Sequence, residues 1–263
     1  MTVTTTVDRA LERVRTERDA VQDKRAALER FVARVEDVSV DPTPPPTRAS
    51  TTAGGGTLAA RSSPTDGGRH EVRTAFAETV RSHSVDDLDD DESLLETIAS
   101  ELSDSIATAL GSTPDGAFTP DLKRAVLSST RDRVDETQVV AAALDREATH
   151  LADVRDEIAT ITDWLVDADD TPLSECEFDE LATRHDRLAA HRERCDRLVR
   201  DRQAHLAETT NQTAKGAVAH RTLVTYLYDD FPVDYPVLAT VVRLDAVCAD
   251  CQRAVRDHLV RRA

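Results

Sequence analysis

Residues 139–166, VVAAALDREATHLADVRDEIATITDWLV, and residues 178–208, FDELATRHDRLAAHRERCDRLVRDRQAHLAE, decide the fold. The first carries apolar side chains at Val140, Leu144, Leu151, Val154, Ile158, Ile161 and Leu165, and the second at Leu181, Leu188, Cys195, Val199 and Leu206. Both sets advance by alternating three- and four-residue steps, which keeps one face of an α-helix apolar. The short polar connection between them, with Asp169, Asp170, Thr171 and Pro172, forces a reversal. The span from Arg131 to Thr209 therefore reads as a long antiparallel helical hairpin.

Outward from the hairpin, the N-terminal stretch repeats the pattern. Val7, Val14, Val21, Leu28 and Val35 fall at a strict seven-residue step, with Leu11 and Val32 at the complementary position. Such a repeat calls for left-handed supercoiling against a partner helix. Arg18 and Arg25 occupy two complementary positions, where their stems can lie along the seam while the guanidinium groups reach water or a carboxylate. Toward the C-terminus, Val237, Val241, Leu244, Cys248, Cys251 and Val255 form the seam of a last helix. It follows a turn held by Pro232 and Pro236, and a shorter helical pattern from Val218 to Tyr228 precedes that turn.

Between the first helix and the hairpin the pattern breaks. Residues 39–69 hold Pro42, Pro44, Pro45, Pro46, Gly54, Gly55, Gly56, Pro64, Gly67 and Gly68. Their composition buries too little apolar surface to offset chain entropy and is that of a disordered linker. Val72, Phe76 and Val80 mark a short amphipathic helix, and Ser93 precedes one helix carrying Leu94 through Leu110 and stopped by Gly111. Thr119, Pro120 and Asp121 are N-cap, first helical residue and first-turn acid of a helix that runs into the hairpin. The expectation is an all-α fold with the N- and C-terminal helices packed along the hairpin. It divides into a heptad helix at 1–38, a disordered Pro/Gly linker at 39–69 and a helical domain at 70–263.

The net charge is −17, from 50 acidic and 33 basic residues. Of the basic residues only Lys24, Lys123 and Lys215 are lysine, and Asp outnumbers Glu. Arg keeps its charge and forms planar ion pairs, and a surface of this kind stays hydrated where salt screens charge over a few ångströms. The pattern resembles proteins of salt-accumulating halophilic archaea. No secretory apolar core follows Met1, and no run approaches the ~18–20 apolar residues that span a bilayer. Four Cys in a long chain without an export signal are no disulfide framework. A soluble cytoplasmic protein is expected.

Three groups invite a chemical reading. Cys248-Ala249-Asp250-Cys251 has redox spacing, but it lies inside a helical pattern with both Cys on the seam, where thiols pack as small hydrophobes. A metal or thiol sensor would have to bring Cys195, Cys248 and Cys251 together, with a His or Cys176 completing a zinc set. Glu147-Ala148-Thr149-His150 has the Glu-x-x-His spacing of di-iron bundles, but no second copy exists. If Leu165 faces Leu181, antiparallel geometry places Glu147 opposite Val199 with Arg202 a step away, and His185 opposite Ile161. Glu147 is then expected to pair with Arg202, or with Arg18 or Arg25, as a polar layer that fixes register. His185 is expected to be a partly buried structural residue, and His191 and His205 to lie on a solvated surface. Between Phe178 and Glu208 seven acids balance seven Arg, so the arm has no net basic footprint for nucleic acid. A DNA-associated regulator would need a positive patch along Arg253 to Arg262.

Ala143-Leu144-Asp145-Arg146-Glu147, Phe118-Thr119-Pro120, Tyr226-Leu227-Tyr228 and Tyr235-Pro236-Val237-Leu238-Ala239-Thr240 resemble an uncharacterised haloarchaeal family, a domain of unknown function. The resemblance covers most of the chain outside the linker and implies no activity, cofactor or catalytic residue. The expectation is a non-enzymatic scaffold that contacts a protein partner or a second copy of itself, without a membrane or nucleic-acid role. Self-association would run through the first helix.

Overall fold

The computed structural model describes residues 5–41, 67–84, 93–111, 117–208 and 220–262. All regular structure among them is helical: α1 (Thr6–Asp37), α2 (Gly67–Thr79), α3 (Leu94–Glu101), α4 (Asp104–Gly111), α5 (Pro120–Asp169), α6 (Phe178–Glu208), α7 (His220–Leu227) and α8 (Pro236–Arg262). A 3-10 turn at Arg81–His83 follows α2. The chain divides into two compact units, Met1–Arg18 with Ala142–Ala263, and Asp19–Ala141. Both α1 and α5 contribute to each, so the expected boundaries at 38 and 70 do not delimit them.

In the unit Asp19–Ala141, the later part of α1 buries Leu28, Phe31 and Val35 against Val72, Phe76, Ile98, Leu110, Phe118 and Val126. Phe31 meets Phe76 edge-on with ring centroids 5.4 Å apart, an arrangement suited to the opposed charges of ring face and ring edge. Phe31, not its neighbour Val32, fills the seam, because the larger ring reaches this core while Val32 stays half-buried. The end of α1 is tied down by Lys123, whose Nζ donates to the carbonyls of Glu36 and Val38, both at 2.7 Å. The Asp41 N–H donates to the Phe118 carbonyl (3.0 Å) and the Phe118 N–H to the Asp41 carboxylate (2.6 Å), which closes the start of α5 onto α1. Thr119 caps α5 as expected, its Oγ1 accepting from the Leu122 N–H at 3.2 Å.

Two boundaries differ from expectation. Gly67 to Arg69 are the first turn of α2, not linker. Gly68 is buried there because it lies against Phe118, whose Cβ would be 2.7 Å from a Cβ at Gly68. Of the rest of the expected linker, residues 39–41 are described, with Asp41 bonded to Phe118, and residues 42–66 lie outside the described residues. The single helix expected from Leu94 to Leu110 is two helices broken at Leu102 and Ser103. The Ser103 hydroxyl accepts from the Ile106 N–H at 3.2 Å and starts a new helix, and Ser129 Oγ donates to the Leu102 carbonyl at 3.0 Å. A serine that caps competes with one that continues a helix. Ser93 begins α3 with a reciprocal capping box to Glu96.

In the unit Met1–Arg18 with Ala142–Ala263, the two arms of the hairpin pack antiparallel. Leu144, Leu151, Val154, Ile158 and Ile161 of α5 are buried, as are Leu181, Leu188, Cys195 and Leu198 of α6. At the hairpin tip α5 runs on to Asp169, and Arg184 of α6 donates to the carbonyls of Ala168 (2.9 Å) and Thr171 (3.1 Å). Those contacts tie the start of α6 to the end of α5. Val7, Ala10, Leu11 and Val14 bury the start of α1. The last helix, α8, lies antiparallel on α6 through Val237, Val241, Leu244, Cys248 and Val255. Arg192 Nε donates to Asp245 at 3.0 Å, and Gln252 Nε2 donates to the His185 carbonyl at 3.4 Å. Arg262 donates to the carbonyls of Ser174 and Cys176, fastening the end of α8 to the hairpin tip.

Candidate functional site: a closed carboxylate cluster at Glu147

Glu147 sits in the middle of the α5 seam, one turn from Leu144 and Leu151, and is fully buried. Its partner Arg202 is 1% exposed and ranks among the largest fully buried side chains. Arg202 follows Leu181, Leu188 and Cys195 at successive seven-residue steps, so the helix that buries those three also buries the guanidinium. The pair is bidentate: Nη1 donates to Oε2 at 2.9 Å and Nη2 to Oε1 at 2.8 Å. That planar fork is the geometry arginine supplies and lysine cannot. Burial works against the Arg202 charge, but the Glu147 hydrogen bonds and charge outweigh it and hold its pKa above the ordinary value.

Two further donors complete the carboxylate. Tyr228, just past the end of α7 and buried, donates its hydroxyl to Glu147 Oε1 at 2.7 Å. Burial, followed by the adjacent Glu147 charge, raises its phenol pKa far above the ordinary 10, so it stays protonated and holds the carboxylate as a neutral donor. His205 Nε2 lies 3.2 Å from Oε2, with its side chain 19% exposed, and forms the wetter edge of the cluster. His150 stacks on His205 with ring centroids 4.3 Å apart and planes 5° from parallel. Burial first, then the proximity of His205 and Arg202, pushes the His150 pKa down to about 4, so it is neutral at physiological pH. Phe231 packs edge-on to Tyr228, and the Arg9 guanidinium lies 5.3 Å over the Phe231 ring.

This arrangement uses the carboxylate fully. A general base or nucleophile needs an oxygen open to substrate, whereas both Glu147 oxygens accept from groups of the same chain in a site closed to solvent. The Glu-x-x-His spacing serves the same end: Glu147 takes the ion pair, and His150 stacks on His205. Among the described residues, no group of three or more His, Cys, Asp or Glu is arranged to hold a metal ion.

The other expected site residues are elsewhere. Arg18 lies beside Asp145, with Nε 3.9 Å from the carboxylate, two residues before Glu147. Arg25 belongs to the other unit and pairs with Glu29 one turn along its own helix, at 3.0 Å. His185 is half-buried, 3.6 Å from Asp186, and seventeen residues before Arg202, about 25 Å along the helix. It is not part of the cluster. His191, expected on the surface, is 2% exposed, with its ring tilted over Trp164 at a centroid distance of 4.9 Å. The α6 apolar face passes through it because Leu188, His191 and Cys195 follow one another at three- and four-residue steps. Sequence reasoning missed two members: Tyr228, and His205, which was expected on a solvated surface but turns its ring to the Glu147 carboxylate.

The thiols stay protonated. Burial, then the nearby Asp245, raises Cys195 to about 11, and burial, then the neighbouring Cys195 and Cys251, raises Cys248 to about 12. Cys176 and Cys251 are raised as well, chiefly by burial. All four are free. The basic end of α8 is partly engaged in its own chain, Arg253 with Asp250 at 2.9 Å and Arg262 with the tip carbonyls.

Among the described residues no helix is long and apolar enough to cross a membrane. No curated protein and no solved structure matches the chain. The model of one family, a domain of unknown function (DUF7260), matches residues 5–252, and the chain belongs to that family.

Proposed function

We propose that this protein is a non-enzymatic helical scaffold that works through protein contacts in the cytoplasm of a salt-accumulating halophile. The observation that carries this reading is the closed cluster: a fully buried carboxylate bound by Arg202, Tyr228 and His205 of the same chain. Such a layer fixes how helices meet and leaves no reacting group exposed. The halophile element rests on the Arg-for-Lys usage and the −17 net charge. Elsewhere on the same unit large apolar side chains stand in solvent, among them Tyr226, Val242 and Val260.

The test is affinity capture of the tagged full chain at high salt from its native host. A discrete protein retained by the wild type, and lost when Tyr226 and Val242 are changed to Asp, is the expected result. Turnover of any substrate that vanishes in His205→Ala, with helical content intact, would overturn the reading.

A further inference from the structure

We propose that the outward face of α8 is a self-association surface, which two copies of the chain use by laying their α8 helices antiparallel. The inference rests on the scaffold reading and names a second copy as its partner. The face turned to α6 consumes Val237, Val241, Leu244, Cys248 and Val255. On the opposite side a second seam runs through Val242, Ala246, Ala249, Arg253, Arg256 and Val260, again at alternating three- and four-residue steps. Val242 and Val260 are 62% and 72% exposed, the two most exposed large apolar side chains among the described residues. Eighteen residues separate them, about five full turns, so both point the same way.

Charge and size commit the face to its own copy. In an antiparallel pair centred near Cys251, Val242 of each chain meets the partner's Val260. Ala246 then meets the partner's Arg256, and Ala249 the partner's Arg253. The two alanines leave the room that the arginine stems fill, while the guanidinium groups reach out past them to water. On one flank Arg243 comes beside the partner's Asp257, and antiparallel helices bring like flanks together, so the dyad repeats this pair. Arg243 and Asp257 are exposed and have no ionic partner of their own among the described residues. The two Asp250 meet near the dyad, each already holding its own Arg253 at 2.9 Å. The interface is isologous and closes on itself as a dimer. Two chains of −17 repel over long range at low salt, so association strengthens as salt screens that repulsion.

The experiment is light scattering and sedimentation of the full chain at high salt across a concentration series. A dimer is expected. Val242→Asp with Val260→Asp gives a monomer with unchanged helical content, since both side chains are exposed. Arg243→Asp alone and Asp257→Arg alone each weaken the dimer by about tenfold, because two symmetric pairs become repulsive. The two changes together restore it, because each pair re-forms with its signs exchanged. A wild type monomeric at every concentration overturns the proposal. So does a dimer indifferent to Val242→Asp with Val260→Asp, or a charge exchange that fails to rescue. A monomer that still retains a different protein from the host removes this inference alone and leaves the scaffold reading in place.

Discussion

Glu147→Gln should unfold the α5–α6 unit far more readily than its one-atom change suggests. The substitution keeps shape and one carbonyl acceptor but removes the negative charge from a fully buried position, opposite an Arg202 that is 1% exposed. Stranding a buried guanidinium costs about 3–5 kcal/mol, because the desolvation already incurred is no longer offset by the partner. The Tyr228 hydroxyl and His205 also lose a charged acceptor, but these losses overlap with the first, because all the groups act on one carboxylate. Tyr228→Phe alone removes a single hydrogen bond to a charged group and should cost about 1.5–3 kcal/mol. The decisive variant is Glu147→Leu with Arg202→Met and Tyr228→Phe, which replaces the polar layer by apolar groups. Its stability should lie within about 2 kcal/mol of the wild type, since a buried ion pair barely repays its own desolvation. Trp164, the chain's one tryptophan, lies against His191 in the same unit, so its fluorescence during urea unfolding reports locally. A Glu147→Gln midpoint within experimental error of the wild type, or an apolar triple variant as unstable as Glu147→Gln, would refute the reasoning.

Other tests follow from the same geometry. The His150 pKa falls from an ordinary 6.5 to about 4 on folding. Between those values the unfolded chain binds a proton that the folded chain refuses, so acid lowers stability. The loss begins as pH drops below 6.5 and is complete near 4, at most about 3 kcal/mol; urea midpoints against pH should show this slope in the wild type and a shallower one in His150→Gln. Cys195 and Cys248, at about 11 and about 12, should resist a thiol reagent at mildly alkaline pH in the folded protein and react at once in urea, and rapid native labelling of both would contradict their burial. Gly68→Ala should cost about 1–3 kcal/mol because the new methyl meets the Phe118 Cβ near the backbone. Gly111→Ala should cost far less, because the atom in its way is the tip of Leu95; thermal melts that rank the two the other way would show the cores to be softer than described.

What the sequence discloses here is whatever depends on one helix at a time. The apolar steps of α5, α6 and α8 and the Thr119-Pro120 start of α5 are intrinsic to their own segments, and the structure has them close to where periodicity puts them. Adjacent apolar residues such as Phe31 and Val32 both satisfy the period within its tolerance, and only the size of the facing core chooses between them. The break after Glu101 was hidden because Leu102, Ile106 and Leu110 keep helical phase across it, while Ser103 interrupts the backbone. Arg202 is legible twice, as the next seven-residue step after Leu181, Leu188 and Cys195 and as the residue that antiparallel pairing puts a step from the one facing Glu147. Tyr228 had no local signal. It reaches Glu147 from beyond α7, eighty-one residues away in the chain, and only tertiary folding brings the hydroxyl to the carboxylate.

The position of Arg202 on that stripe explains why an ion pair is kept where apolar packing could be as stable. The α6 seam repeats at seven residues through Leu181, Leu188 and Cys195, all apolar, so sliding α6 by one repeat along α5 would still set apolar groups against apolar groups. Apolar packing discriminates poorly between such registers. The polar layer does discriminate: a one-repeat slip in one direction places Cys195 opposite Glu147 and strands both the carboxylate and the guanidinium. That penalty is of the order of 3–5 kcal/mol, comparable to much of the ~5–15 kcal/mol that holds a typical domain folded. The contribution of the layer is therefore to the alternatives it forbids. Tyr228 extends the same control to the segment after α7, because its hydroxyl finds the carboxylate only when α5 and α6 are already in their native pairing.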